Sequence, residues 1–264
     1  MPRSPKLSFA ATSPADWQHP FDVAVVMPTV LRPSATAAIR SVLAQRDIGR
    51  LQLLIGIDAP LGEMRVIEDA VRDAPPHIAV QVFDPGYSTS VRHGGLHPAR
   101  DGGALRTILS YLANSRYVAY LDDDNWWHED HLASLLAAVQ GHDWAWAARH
   151  FVHPRTRAVV CEDTWESIGP GAGCFAMQGG WVDPNGLLID KLVCEPVLRW
   201  WSIPIPTDPK AMSADRHVFD ALQKHFRGRG TGRATVFYQL DPEDSMHPIR
   251  RQWMGEAWVR AGGD

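Results

Sequence analysis

Asp122-Asp123-Asp124, followed by Asn125-Trp126-Trp127, is the stretch of this sequence best equipped for chemistry. Three adjacent carboxylates repel one another, so a bare cluster is costly. A divalent cation relieves that cost. Oxygen ligands are what Mg²⁺ or Mn²⁺ prefers, and diphosphate oxygens could complete the shell. The same acids also suit a solvated turn capping a helix that opens near Glu129, because acids favour helix N-termini. The triplet alone leaves both readings open.

The elements that would position these acids are legible as apolar runs. Tyr117-Val118-Ala119-Tyr120-Leu121 reads as a buried strand that stops at the triplet. Residues 22–30 are a continuous apolar run fitting a buried parallel strand, expected to end at Pro28 because proline cannot donate to a ladder. Residues 51–58 and 78–84 are two more strands, and each also ends on a carboxylate, Asp58 and Asp84. Helical spacing fills the gaps over 33–45 and 62–73, and again over 104–114 and 128–140. Strands interleaved with helices imply βαβ units and a doubly wound sheet, with ligands outside the carboxyl ends of the strands. Asp58, Thr29 and the triplet lie at that edge, whereas Asp84 reads as a turn residue. Trp126, Trp127 and Trp181 could line a sugar or acceptor site or simply pack. His128 and His131, beside Glu129 and Asp130, are more simply a solvated first turn than a zinc site.

Composition sets the limits. The chain has 264 residues, 45% of them apolar and 21% charged, enough for one large α/β domain or two small ones. A formal net charge of -4 gives no nucleic-acid footprint. No apolar run reaches transmembrane length and no signal-peptide core is present. Cys161, Cys174 and Cys194 form neither a zinc pattern nor a disulfide framework, which points to a reducing, cytoplasmic setting. Residues 1–20 carry four prolines and no periodicity, so a loose arm is expected there. Past residue 144 come a hairpin (144–152 with 157–161), a glycine-rich stretch and a helix start with Ser213 as N-cap. A late strand over 234–240 leads to His247.

Taken in order, these motifs resemble a family 2-type glycosyltransferase of the GT-A fold over roughly 22–250. Val25-Val26-Met27-Pro28-Thr29 matches the family's opening strand. Asp58 stands where an acid often reads the nucleotide base, and Ala104-Leu105-Arg106 where the family has Ala-Arg-Asn. Asp122-x-Asp124 matches the D-x-D element. Asp215 lies where an acid-rich helix start supplies the catalytic base, and His247 where many GT-A enzymes place a metal-binding histidine. The sequence departs from the family at Ala59-Pro60, Thr107 and Ala214.

The resemblance implies a Rossmann-like, mostly parallel central sheet with helices on both faces and a small acceptor-side subregion. It implies one domain over 21–264, with 21–125 as the nucleotide-sugar half and 126–264 as the acceptor half. Asp124 would bind Mn²⁺ or Mg²⁺ with Asp122 and His247. Thr29, Asp58, Arg106, Asp122 and Asp123 would hold a nucleotide-sugar donor, uridine or deoxythymidine diphosphate with guanosine as the competitor. Strand alternation points Asp123 away. Asp215 would be the general base of an inverting transfer to a small-molecule, glycan or peptide hydroxyl, its pKa lowered by the helix start and raised by a bound acceptor. Two alternatives remain: a non-catalytic nucleotide- or sugar-binding module of the same fold, and a sugar-phosphate nucleotidylyltransferase. The second needs a glycine-rich first loop, and Val30-Leu31-Arg32-Pro33 has no glycine.

Overall fold

The computed structural model describes residues 6–10, 18–59, 61–99, 102–204 and 214–262. Four parallel strands form its centre: β2 (Phe21–Thr29), β3 (Leu51–Ile57), β4 (Ile78–Asp84) and β5 (Ser115–Tyr120). Each is the apolar run expected to be buried. Alternation along β2 sends Val23, Val25 and Met27 into one core and Ala24 and Val26 into the other. The first core takes the apolar sides of α1 (Ala35–Leu43), α2 (Arg65–Val71) and a later helix, α4 (His131–Ala138). The second takes α3 (Gly103–Leu112) and α5 (Ala214–His225). Helices therefore cover both faces.

The strand order in space is β4-β3-β2-β5, so the chain winds outward from β2 and then returns to its other side. That reversal is a topological switch point, where open α/β sheets bind ligands. Beyond β5 the sheet continues through β11 (Leu187–Asp190), β7 (Trp144–Val152), β12 (Gly228–Gln239) and β6 (Trp126–Trp127), with β8 (Val159–Glu162) paired to β7. β11 is antiparallel to β5 and β7, and β12 runs parallel to β7. A separate two-stranded ladder joins β9 (Gly169–Pro170) to β10 (Gly180–Trp181). The C-terminal part ends in α6 (His247–Met254) and α7 (Glu256–Arg260). Among the described residues no helix is long and apolar enough to cross a membrane.

Three expectations are corrected. The arm over 1–20 contains β1 (Lys6–Ala10), which pairs antiparallel with β4, and Phe9 packs against the first core. Pro28 does not end β2. Its missing donor falls on the β5 side, beyond the last β2–β5 pair, Val26 with Tyr120, so no ladder bond is lost. The late strand starts at Gly228, not at 234. Its glycines hid it, because glycine has low strand propensity. Here glycine is required: a Cβ on Gly228 would sit 2.3 Å from the Trp144 ring.

Candidate active site

Thr29, Asp58 and the acidic triplet face one cleft of about 550 Å³, with Arg106 and Asp215 on its walls. That volume suits a ligand of ordinary cofactor size. The triplet follows the end of β5, so it is turn rather than strand, and alternation no longer governs it. Asp123 accordingly does not point away. It accepts from Thr29 Oγ1 at 2.8 Å and from the Val30 amide at 3.1 Å. Thr29 Oγ1 in turn accepts from the Leu31 amide at 2.8 Å. The same turn brings Arg32 Nη1 to 2.9 Å from Asp124 Oδ2.

Asp122 is clamped from two sides. Arg106 donates to Oδ1, and Asn185 Nδ2 donates to Oδ2 at 2.8 Å while its Oδ1 accepts from the Asp122 amide at 2.7 Å. The Arg106 guanidinium lies 5.4 Å over the Trp201 ring. The start of α3, which carries Arg106, is squeezed between β2 and the Trp201 segment. Gly102 has φ +74°, and a Cβ there would meet Pro28 at 2.4 Å. One on Gly103 would meet the Trp201 carbonyl at 2.2 Å. Only glycine fits both contacts.

Asp58 is buried and holds the following loop: Oδ1 accepts from the Thr89 amide at 2.8 Å and from the Thr89 hydroxyl at 2.7 Å, and Oδ2 has a longer contact from Ser88 at 3.3 Å. Arg92 and His93 of the same loop reach the cleft. Asp84 accepts from the Gly86 amide at 2.8 Å and is the turn residue expected.

Asp215 is the second residue of α5, and its Oδ1 accepts from the Arg216 amide at 2.7 Å. Ser213, expected as the N-cap, lies outside the described residues. The helix start was expected to lower the pKa of Asp215. Burial in the cleft wins instead and pushes it up to about 7, against the Arg216 amide and Arg106 and with Asp183 and Asp122.

Sequence reasoning missed a second layer under the cleft. Arg149 on β7 is 1% exposed and binds three carboxylates: Asp163 at 2.8 Å, Asp183 at 2.6 Å and Glu166 at 2.9 Å. Arg250 on α6 grips Glu166 with two bonds, at 2.6 and 2.8 Å, and Asp244 at 2.5 Å. Asp183 accepts from Asn185 Nδ2 at 2.7 Å, so one chain of bonds runs from α6 through Arg149 to Asp122. The sequence did hold a signal. Arg149 falls on the same side of β7 as Ala145, Ala147 and Phe151, and a charge in an apolar row marks a buried ion pair.

The donor set at the triplet suits a hard cation. Burial, then Asp122 and Asp123, pushes Asp124 up to about 7 even with Arg32 alongside. Among the described residues no group of three His, Cys, Asp or Glu could enclose a metal ion alone. An ion on Asp124 and Asp122 would take its remaining ligands from water and a bound diphosphate, as Mg²⁺ commonly does. His247 is not among the described residues that line the cleft; it is buried at the start of α6, its ring edge-on to Trp258 at 5.3 Å. Of the two readings open for Trp126, Trp127 and Trp181, packing holds. Trp127 donates to the Asn185 carbonyl at 2.8 Å and stacks on His131, Trp126 stacks on Phe237, and Trp181 lies in the second core. Trp201, almost fully buried in that same core, also borders the cleft. His131 is buried against Thr235 at 2.7 Å, and burial pushes its pKa down to about 3, so the zinc spacing is structural.

The sequence model of the family described as Glycosyl transferase family 2 matches residues 24–159, just over half of the chain. No curated protein matches the chain. Solved structures match in fold. The S. aureus TarS crystal structure has a TM-score of 0.56 at 13% identity, over 87% of this chain and 38% of that one. TarS 1-349 in complex with UDP-GlcNAc has a TM-score of 0.57 at 12% identity, over 86% and 61%. The mannosyltransferase PcManGT from Pyrobaculum calidifontis, in complex with GDP-Man and Mn²⁺, has a TM-score of 0.56 at 14% identity, over 96% and 67%. The chain thus spans well under two thirds of the first of these TarS chains.

Proposed function

Because the chain belongs to glycosyl transferase family 2, we propose that it moves a sugar from a nucleoside diphosphate to an acceptor hydroxyl. Its fold is the GT-A one expected. One observation carries the reading: the triplet and Asp215, some ninety residues apart, face one cleft at the switch point of the sheet. The donor half would be 21–125 and the acceptor half 126–264, in a single domain. The free cysteines support a cytoplasmic setting.

Asp58, Thr29 and Arg106 hold the nucleotide, and Asp122, fixed by Arg106 and Asn185, meets the ribose. Asp123 holds the turn they share. A divalent ion on Asp124 and Asp122, when bound, stabilises charge on the departing diphosphate. Asp215 takes the proton of the acceptor hydroxyl as that oxygen attacks the anomeric carbon opposite the leaving group. No covalent intermediate is needed and the configuration inverts. The likeness to structures holding UDP-GlcNAc and GDP-Man supports a nucleotide-sugar donor.

The test is to offer UDP-, dTDP-, GDP- and ADP-sugars with Mn²⁺ and a panel of acceptor alcohols. Nucleoside diphosphate release and the anomeric configuration of the product are then read by NMR. Release from the uridine or deoxythymidine donor, with inversion, is expected; release from none would end the proposal.

A second prediction concerns the base. Asp58 accepts the imide N–H that uracil and thymine carry and cytosine lacks. Asp58→Ala should weaken UDP binding about ten- to a hundredfold, a hydrogen bond to a charged group being worth about 1.5–3 kcal/mol. Equal calorimetric affinity in variant and wild type would remove Asp58 from base recognition.

A further inference from the structure

The turn leaving β2 presents a cation to the acidic cluster, and its backbone is built to do so. Leu31, buried, holds a left-handed φ of 64°, a conformation that costs a leucine about 1–2 kcal/mol. The turn is pinned by the bonds from Thr29 and Val30 to Asp123, and by the Leu61 amide donating to the Val30 carbonyl at 3.0 Å. The carboxylate that holds the turn thus belongs to the cluster that Arg32 neutralises. Arg32 itself is half exposed: its side chain is 49% accessible in the cleft, with Nη1 at 2.9 Å from Asp124 and 3.6 Å from Asp123. Burial works against its charge, but Asp123 and Asp124, then Asp122 and Asp241, hold it firmly protonated.

We propose that Arg32 is an exchangeable counter-ion. It occupies Asp124 while the cleft holds no donor, yields that carboxylate to the divalent ion, and then turns its guanidinium onto the diphosphate. The idea rests on the donor chemistry proposed above. An ion within about 2.1 Å of an Asp124 oxygen repels a guanidinium at hydrogen-bond distance from the same carboxylate, so each weakens the other's hold on it. A rigid turn under a long side chain lets the charge move while its root stays fixed. The diphosphate then offers the planar fork a better partner than a lone carboxylate. Metal and donor therefore bind cooperatively, each favouring the arrangement the other needs.

The experiment compares wild type, Arg32→Gln and Arg32→Lys in two titrations: Mn²⁺ alone, followed by electron paramagnetic resonance of the free ion, and UDP at saturating Mn²⁺, followed by calorimetry. Removing the competitor should tighten Mn²⁺ binding in Arg32→Gln about tenfold and weaken UDP binding about tenfold, the scale of one charged hydrogen bond. Arg32→Lys keeps the charge and loses the fork, so it should bind Mn²⁺ as wild type does and UDP less tightly. Unchanged or weaker Mn²⁺ binding in Arg32→Gln would overturn the exchange. So would wild-type UDP affinity in Arg32→Lys, which decides the matter if the glutamine variant does not fold. Wild-type protein that binds neither Mn²⁺ nor any nucleoside diphosphate would sink the donor reading as well.

Discussion

Asp215→Asn should lose about 10²- to 10⁴-fold in turnover, the usual worth of a positioned general base, while keeping its affinity for nucleoside diphosphate. The asparagine preserves shape and can still accept from the Arg216 amide. With its carboxyl pushed up to about 7 by burial, wild-type Asp215 can accept a proton only once ionised, so the rate should rise with pH through about 7 and level off above it. The same shift has an opposite effect on stability. The folded protein keeps a proton on Asp215 where the unfolded chain, at its ordinary value of 3.8, has released it. Its contribution is therefore full below that value and is lost as pH rises through about 7. Asp215→Asn removes an ionised, partly buried carboxylate and should melt higher than wild type at pH 8, with the difference shrinking at pH 5. A variant that is inactive and also less stable at pH 8 would make Asp215 a structural residue.

Arg149→Met should cost about 3–5 kcal/mol of folding stability, the range for breaking a buried ion pair from one side. The reason is the arithmetic of charge. Asp163, Glu166 and Asp183 all point at one guanidinium, which also lies 4.1 Å over the Tyr238 ring. Its loss removes the shared cation from all three acids. Arg250 can still serve Glu166, but Asp163 and Asp183 have no second cation described. Denaturant unfolding at pH 7 measures this, and a loss under about 1 kcal/mol would contradict the reading. Asn185 relays Asp183 to Asp122, so donor affinity should fall in whatever fraction of the variant stays folded.

The parallel strands were legible because each is a continuous apolar run buried on both faces, a pattern that needs no knowledge of partners. β11 was not, since four residues in a glycine-rich stretch carry too little periodicity to stand out. β1 and the start of β12 were hidden by composition. The first sits among prolines, and the second is a glycine row shaped by Trp144 and Trp146. At the site, the triplet could be read because adjacent carboxylates are costly without a reason. The roles of its members could not, because they depend on where a turn aims each oxygen. Asp123 shows this plainly, held by Thr29 when alternation sent it outward. The tryptophans could be read either way from the sequence, and packing holds for Trp127 and Trp181, each in a core; Trp201, in the same core as Trp181, also borders the cleft and carries no local signature. Asp183, Asn185 and Arg149 are joined only in space.

The central claim is that the acidic cluster binds a nucleoside diphosphate through a divalent ion. Calorimetric titration of UDP into wild type and Asp124→Ala, each with Mn²⁺ and again with excess chelator, tests it most directly. Asp124 lies in the cleft with Arg32 as its salt-bridge partner, so the variant should fold normally. Binding should appear only in wild type with Mn²⁺. Equal UDP affinity in the Asp124→Ala protein, or equal affinity with and without the ion in wild type, would contradict the account.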